Sequence, residues 1–161
     1  MDLDAGNTYF VDDIFFNKIN DPYLKTNHKT TSRPHYFAFK DPYTSLYWLV
    51  PCSSQIAKFE KIISQKKQQH KPTDAIKIIK IQGKITALLF QDMFPISSDY
   101  ITSQYIRNGQ PYSITNPKTI SYLEKNAQKI ISLIRHGVRF TPTQPDTKRI
   151  ETILLTDLHK K

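Results

Sequence analysis

The chain has 161 residues, with 23 Lys+Arg against 14 Asp+Glu for a formal charge of +9, and only four Gly, one Cys and five His. No glycines fall at GxGxxG or GxxxxGK spacing, which excludes a dinucleotide fingerprint and a phosphate loop, and a lone cysteine closes no internal disulfide and joins no cysteine-based zinc site. The start MDLDAGNTYF is acidic and polar and no stretch approaches the ~20 apolar residues of a bilayer span, so a single folded, cytoplasmic domain with no membrane contact is expected.

In chain order, Thr8 to Val11 reads as a short strand, and Asp12 caps the helix suggested by Ile14, Phe15, Lys18 and Ile19. Residues 20–34, polar and holding two prolines, read as a loop that carries Lys25, His28, Lys29 and Arg33. Tyr36 to Lys40 and Ser45 to Val50 form a hairpin about the turn Asp41-Pro42-Tyr43-Thr44. Ile56, Phe59 and Ile63 mark the apolar stripe of a helix over about 54–69. Ala75 to Ile81 and Lys84 to Phe90 are strands joined at Gln82-Gly83, Phe94-Pro95-Ile96 reads as a break, and Tyr100 to Arg107 as a strand before the turn Asn108-Gly109. Asn116-Pro117 opens a helix ending near Gly137, with Ile120, Leu123, Ala127, Ile130 and Ile134 on one face, and Arg149 to Leu158 closes the chain as a short helix. This order lacks long βαβ alternation, which predicts an α+β domain over 1–161 built on an antiparallel sheet.

The positive excess points to a phosphate-rich partner, since clustered cations release the counterions condensed on nucleic acid; an ordinary basic surface is the alternative. Asp12 and Asp13 are adjacent and the five histidines share no HxH or HExxH spacing, so no metal and no cofactor are expected. RNA chemistry needs neither, because the substrate supplies its own 2′-hydroxyl nucleophile. Ser53 and Ser54 follow a strand and precede a helix, and Lys58 lies at i+4 from Ser54, so the three can hold a scissile phosphate. A plain N-cap at Ser54 and a solvated Lys58 are the competing reading. Arg33 before Pro34, with Lys29, can grip phosphate or be a loop cation. His28 can move a proton or be solvated, Tyr9 can stack on a base or pack, and Cys52 is a thiol nucleophile or a buried strand end. Lys61, Lys66 and Lys67 continue the basic run after Lys58 as an RNA-backbone track or a solvated helix face.

Thr8-Tyr9-Phe10-Val11 with its helix, Arg33-Pro34-His35-Tyr36-Phe37, Tyr47 to Ser54, the strand ending Leu89-Phe90-Gln91-Asp92-Met93-Phe94-Pro95-Ile96, and the helix from Pro117 together resemble the toxins of type III toxin-antitoxin systems. The chain is similar to the ToxN/AbiQ-like endoribonucleases, and most so to the CptN branch. The resemblance implies a highly twisted antiparallel sheet with a MazF/Kid-like barrel core packed by helices. It also implies metal-independent RNA cleavage to a 2′,3′-cyclic phosphate and a 5′-hydroxyl. The implied partner is a small antitoxin RNA with a pseudoknot fold, cut from a repeat array by the toxin and kept in a closed toxin-RNA assembly, with cellular RNA as substrate. Ser53 and Ser54 match the family's Thr/Ser-Ser pair and Arg33 a basic position before its proline, whereas Ile56 stands where the family often has lysine. A non-catalytic RNA-binding module using the same basic groove is the alternative function, and an interaction protein with incidental charge a third.

Overall fold

The structure, a computed structural model, describes residues 2–27 and 32–160. Strand β1 (Thr8–Val11) runs into helix α1 (Asp13–Ile19), and Asp12 at the junction accepts the Ile14 amide at 3.0 Å. Strands β2 (His35–Lys40) and β3 (Tyr47–Ser53) form the expected hairpin, but β3 outlasts its apolar run and continues through Pro51 and Cys52 to Ser53. Helix α2 (Ile56–Gln68) leads to a hairpin of β4 (Ile76–Ile81) and β5 (Lys84–Leu89). Its two turn residues, Gln82 and Gly83, both take positive φ, the geometry that matches the twist of paired strands. Then come β6 (Phe94–Ile96), β7 (Ile101–Gln104) and a small hairpin of β8 (Ile106–Arg107) and β9 (Gln110–Pro111), followed by α3 (Pro117–Arg135) and α4 (Thr147–His159).

The antiparallel strands run in the order β4-β5-β3-β2-β1-β7, an α+β architecture with helices packed on one sheet. β3 is its hub. One edge pairs with β2, while the other is shared by β5, at Cys52 and Ser53, and β6, at Tyr47 to Leu49. Pro51 falls between these two stretches, where no ladder bond is needed from its missing N–H. Phe94-Pro95-Ile96, which reads as a break, is therefore a strand: β6 pairs β3 alone, so Pro95 sits opposite Trp48 with a free outer side. The run Tyr100 to Arg107 is likewise divided, into the end of a 3₁₀ turn, β7 and β8.

Side chains of β3 alternate between two cores. Tyr47 and Leu49 join Phe15, Phe16 and Phe94 under α1 and α4, whereas Trp48, Val50 and Cys52 face Leu123, Ala127 and Ile130 of α3. Burial on both faces explains why β3 is a continuous apolar run rather than an alternating one. A third cluster seats α2 through Phe59 on Ile76, Ala87 and Leu89. Gly6, at φ +90°, lets the chain before β1 pass the segment after β9, because a Cβ there would come within 2.3 Å of the Ile114 carbonyl oxygen. Among the described residues no helix is long and apolar enough to cross a membrane.

Candidate active site

Where β3 ends, the chain leaves the sheet beside the start of β5, and a cleft of about 140 Å³ opens there. Arg33, Ser53, Ser54, Lys84, Thr86 and Tyr112 stand among its lining residues. The turn from β3 into α2 is set by two bonds: the Gln55 amide donates to Ser53 Oγ at 3.2 Å, and the Ile56 amide to the Ser54 carbonyl at 2.9 Å. Gln55, not Ser54, is the N-cap residue, and its side chain makes no capping bond. The plain capping reading of Ser54 therefore does not describe this turn. Among the described residues its hydroxyl has no intramolecular partner, and the residue is exposed on the cleft.

Arg33 approaches from the loop before β2. Its Nη1 donates to the Cys52 carbonyl at 3.0 Å and its Nε to the Thr26 carbonyl at 3.3 Å, while its amide donates to Asn27 Oδ1 at 3.0 Å. Asn27 is tied in turn to the Val11 carbonyl and to Asp13 Oδ1, both at 2.9 Å. The guanidinium is thus clamped by the carbonyls of Thr26 and Cys52, and neither of its own two bonds goes to a carboxylate. Its half-burial lowers the arginine's pKa through desolvation, which leaves a charged group that gains from meeting an anion. The acid whose field reaches it, Asp92, is 2% exposed, and burial raises its pKa against the pull of Lys25, Arg33 and Lys58.

The cleft brings Arg33, Ser53 and Ser54 together, but not Lys58. Spacing of i+4 makes neighbours only inside a helix, and Ser54 and Gln55 precede the first turn of α2. Lys58 is exposed, with its ammonium 5.3 Å from the centre of the Phe59 ring. Lys61 and Lys67 are exposed and Lys66 half-buried on α2, all outside the cleft. Tyr9 is corrected from a base-stacking group to a packing one. Its ring is 3% exposed in the core under α1, and its hydroxyl accepts the Asp4 amide at 2.8 Å. Cys52 is the buried strand end of the two readings: burial pushes its thiol up to about 12, so no thiolate forms. His28 and Lys29 lie outside the described residues.

Lys84, Thr86 and Tyr112 complete the cleft and are not singled out by the sequence. Lys84 and Thr86 read there only as part of a strand. Tyr112 follows a turn signal, and only the sheet topology carries it to the β3 terminus. Among the described residues no three His, Cys, Asp or Glu side chains gather where they could hold a metal ion.

Beside Arg33, His35 is fully buried with its ring centroid 6.2 Å from that of Phe16 and 5.4 Å from that of Phe94. Burial, with the Arg33 charge adding to it, brings its pKa down to about 3. The folded ring is neutral, whereas in the unfolded chain it takes a proton near pH ~6.5. Its share of stability is therefore full above that pH and is lost as pH falls toward the folded value, at up to about 1.4 kcal/mol per pH unit. Urea unfolding of wild type and His35→Leu at pH 7, 6 and 5 should show a slope that the substitution removes. An identical slope in both proteins contradicts this assignment.

No family model and no curated protein matches the chain. Among solved structures, the fold is similar to that of AbiQ, a lactococcal anti-phage endoribonuclease belonging to the type-III toxin-antitoxin system. The TM-score is 0.74 at 11% sequence identity, over 98% of this chain and 100% of that one, so the likeness is one of fold.

Proposed function

We propose that the cleft at the end of β3 is the active site of an endoribonuclease toxin of a type III toxin-antitoxin system. The observation that carries this reading is one juxtaposition: an uncommitted serine hydroxyl and an arginine held by neutral carbonyls line the same small cleft. The AbiQ fold supports it. So does the ordered set of motifs from Thr8-Tyr9-Phe10-Val11 to the helix at Pro117, including Arg33-Pro34 and Ser53-Ser54, on which alone placement in the CptN branch rests.

In this reading the substrate's 2′-oxygen attacks the adjacent phosphorus, the bond from phosphorus to the 5′-oxygen breaks, and the proton lost by the 2′-oxygen is balanced by one gained at the 5′-oxygen. The products carry a 2′,3′-cyclic phosphate and a 5′-hydroxyl, and no step calls for a metal. Ser54 donates to a phosphate oxygen, and Arg33 stabilises the charge that builds on the phosphorane. Ser53 shapes the turn that presents Ser54, through its bond from the Gln55 amide. Lys84 replaces Lys58 as the second cation of the cleft. Lys58, Lys61, Lys66 and Lys67 extend the positive surface for flanking phosphates, and Lys29 and His28 are proposed from the sequence as further RNA contacts. The partner is a small, pseudoknotted antitoxin RNA that the toxin cuts from a repeat array and that then occupies the cleft in a closed assembly in the cytoplasm.

Purified protein incubated with RNA tests the reading. Strand scission that stops when the repeat-derived RNA is added is expected; tight, salt-sensitive binding without scission instead makes the chain a non-catalytic RNA-binding module.

A further inference from the structure

We infer that Tyr112 is a further catalytic residue of this cleft, giving a hydrogen bond to the scissile phosphate, and that Thr86 is the positioning residue that sets its hydroxyl. The inference rests on the ribonuclease reading above. It starts from how tightly the chain fixes a tyrosine that no local motif explains. The β8-β9 hairpin delivers it, and Gln82 at the β4-β5 turn holds that hairpin with the two N–H groups of its Nε2, shared among the carbonyls of Arg107, Gln110 and Pro111 at 2.9, 2.9 and 3.1 Å. On Tyr112 itself the amide donates to the Tyr105 carbonyl at 2.9 Å, and the carbonyl accepts from Thr8 Oγ1 at 2.8 Å. The ring lies 5.0 Å from that of Tyr105, with the Arg107 guanidinium 6.0 Å from its centre. Backbone and ring are thus held from several sides, as a preorganised donor requires.

The hydroxyl is paired with a second residue that lines the cleft. Tyr112 and Thr86 are 2% and 3% exposed, both line the cleft, and the phenol oxygen and Thr86 Oγ1 share a hydrogen bond. Thr86 Oγ1 also lies 3.3 Å from the Lys84 carbonyl, to which it donates. A threonine hydroxyl has one proton, so the pair has two arrangements. With Thr86 bonded to the Lys84 carbonyl, the phenol donates to Thr86 and the cleft sees no donor. With the Thr86 hydroxyl turned to the phenol oxygen, the phenolic proton is released toward the cleft. An anion there favours the second arrangement, and burial, which raises the phenol's pKa, keeps that proton in place at neutral pH. A phosphorane carries more negative charge on its oxygens than the starting diester, so the donor acts mainly on the rate.

Single-turnover cleavage of one RNA oligonucleotide, and binding of the same RNA with a 2′-deoxy nucleotide at the cleaved position, test this together. Tyr112→Phe keeps the ring between Tyr105 and Arg107 and should slow cleavage about a hundredfold while the Kd stays within about threefold. Thr86→Val should slow cleavage about tenfold, and Thr86→Ser should restore most of that rate. Tyr112→Phe cutting at the wild-type rate while Ser54→Ala is inactive overturns the inference and leaves the ribonuclease reading standing. Equal rates for Thr86→Val and Thr86→Ser overturn the role of Thr86. Absence of any cleavage by the wild-type protein removes both the inference and the reading beneath it.

Discussion

Replacing Arg33 with alanine is expected to slow RNA cleavage by roughly 10³-fold and to weaken RNA binding as well, because a charged donor at a developing phosphorane is worth more than a neutral one. Its geometry makes the prediction sharper than a statement about charge. Two guanidinium nitrogens are committed to the carbonyls of Cys52 and Thr26, which aims the rest of the fork at the cleft and fastens the end of β3 to the loop before β2. Lysine keeps the charge but has a single nitrogen, which cannot hold two carbonyls and address a phosphate at once. Arg33→Lys should therefore recover most of the binding and little of the rate. A lysine variant that cuts as fast as wild type would show that Arg33 acts only as a positive charge.

Ser54→Ala should lower the cleavage rate by a similar factor, roughly 10³-fold, with RNA affinity held within about threefold. The thermal midpoint should not move, because no intramolecular bond among the described residues uses that hydroxyl. Ser53→Ala is the instructive contrast. Ser53 Oγ accepts the Gln55 amide, so its loss loosens the turn into α2 and costs stability of about 0.5–1.5 kcal/mol, with a smaller effect on rate. Single-turnover rates beside thermal melts separate the two serines. Full activity in Ser54→Ala sinks its assignment.

Sequence pattern makes some of this legible and hides the rest for physical reasons. Asp12 and Asn116-Pro117 mark helix starts, and Gln82-Gly83 a tight turn, because caps and turns are decided by bonds among residues a few positions apart. The serine pair at a strand exit is readable for the same reason. Phe94-Pro95-Ile96 is misread because a proline argues against a strand unless one side of it is free, and whether a side is free is a property of the sheet. Lys58 stands away from the cleft because the i+4 relation holds only within a helix and Ser54 lies outside α2. Tyr9 is one tyrosine among nine, and only its neighbours in the fold decide that it packs. Thr86 and Tyr112 meet across the fold, a pairing that no local spacing records.

Of the 23 basic side chains, set against 14 acidic ones, Arg33 and Lys84 line the cleft. Away from the cleft, Lys129 and Lys77 hold Asp74, Arg135 holds Asp41 and Glu151, and Lys18 holds Asp157. Among the described residues Arg33 and Lys84 form no ion pair of that kind, which in the proposed reading leaves both free for a phosphate.

The most direct measurement is to incubate the purified protein with RNA in EDTA and identify the ends of the products. Cleavage that persists in EDTA and leaves 2′,3′-cyclic phosphate and 5′-hydroxyl ends is the predicted result. RNA that stays intact while bound, or ends that carry a 5′-phosphate, would contradict it.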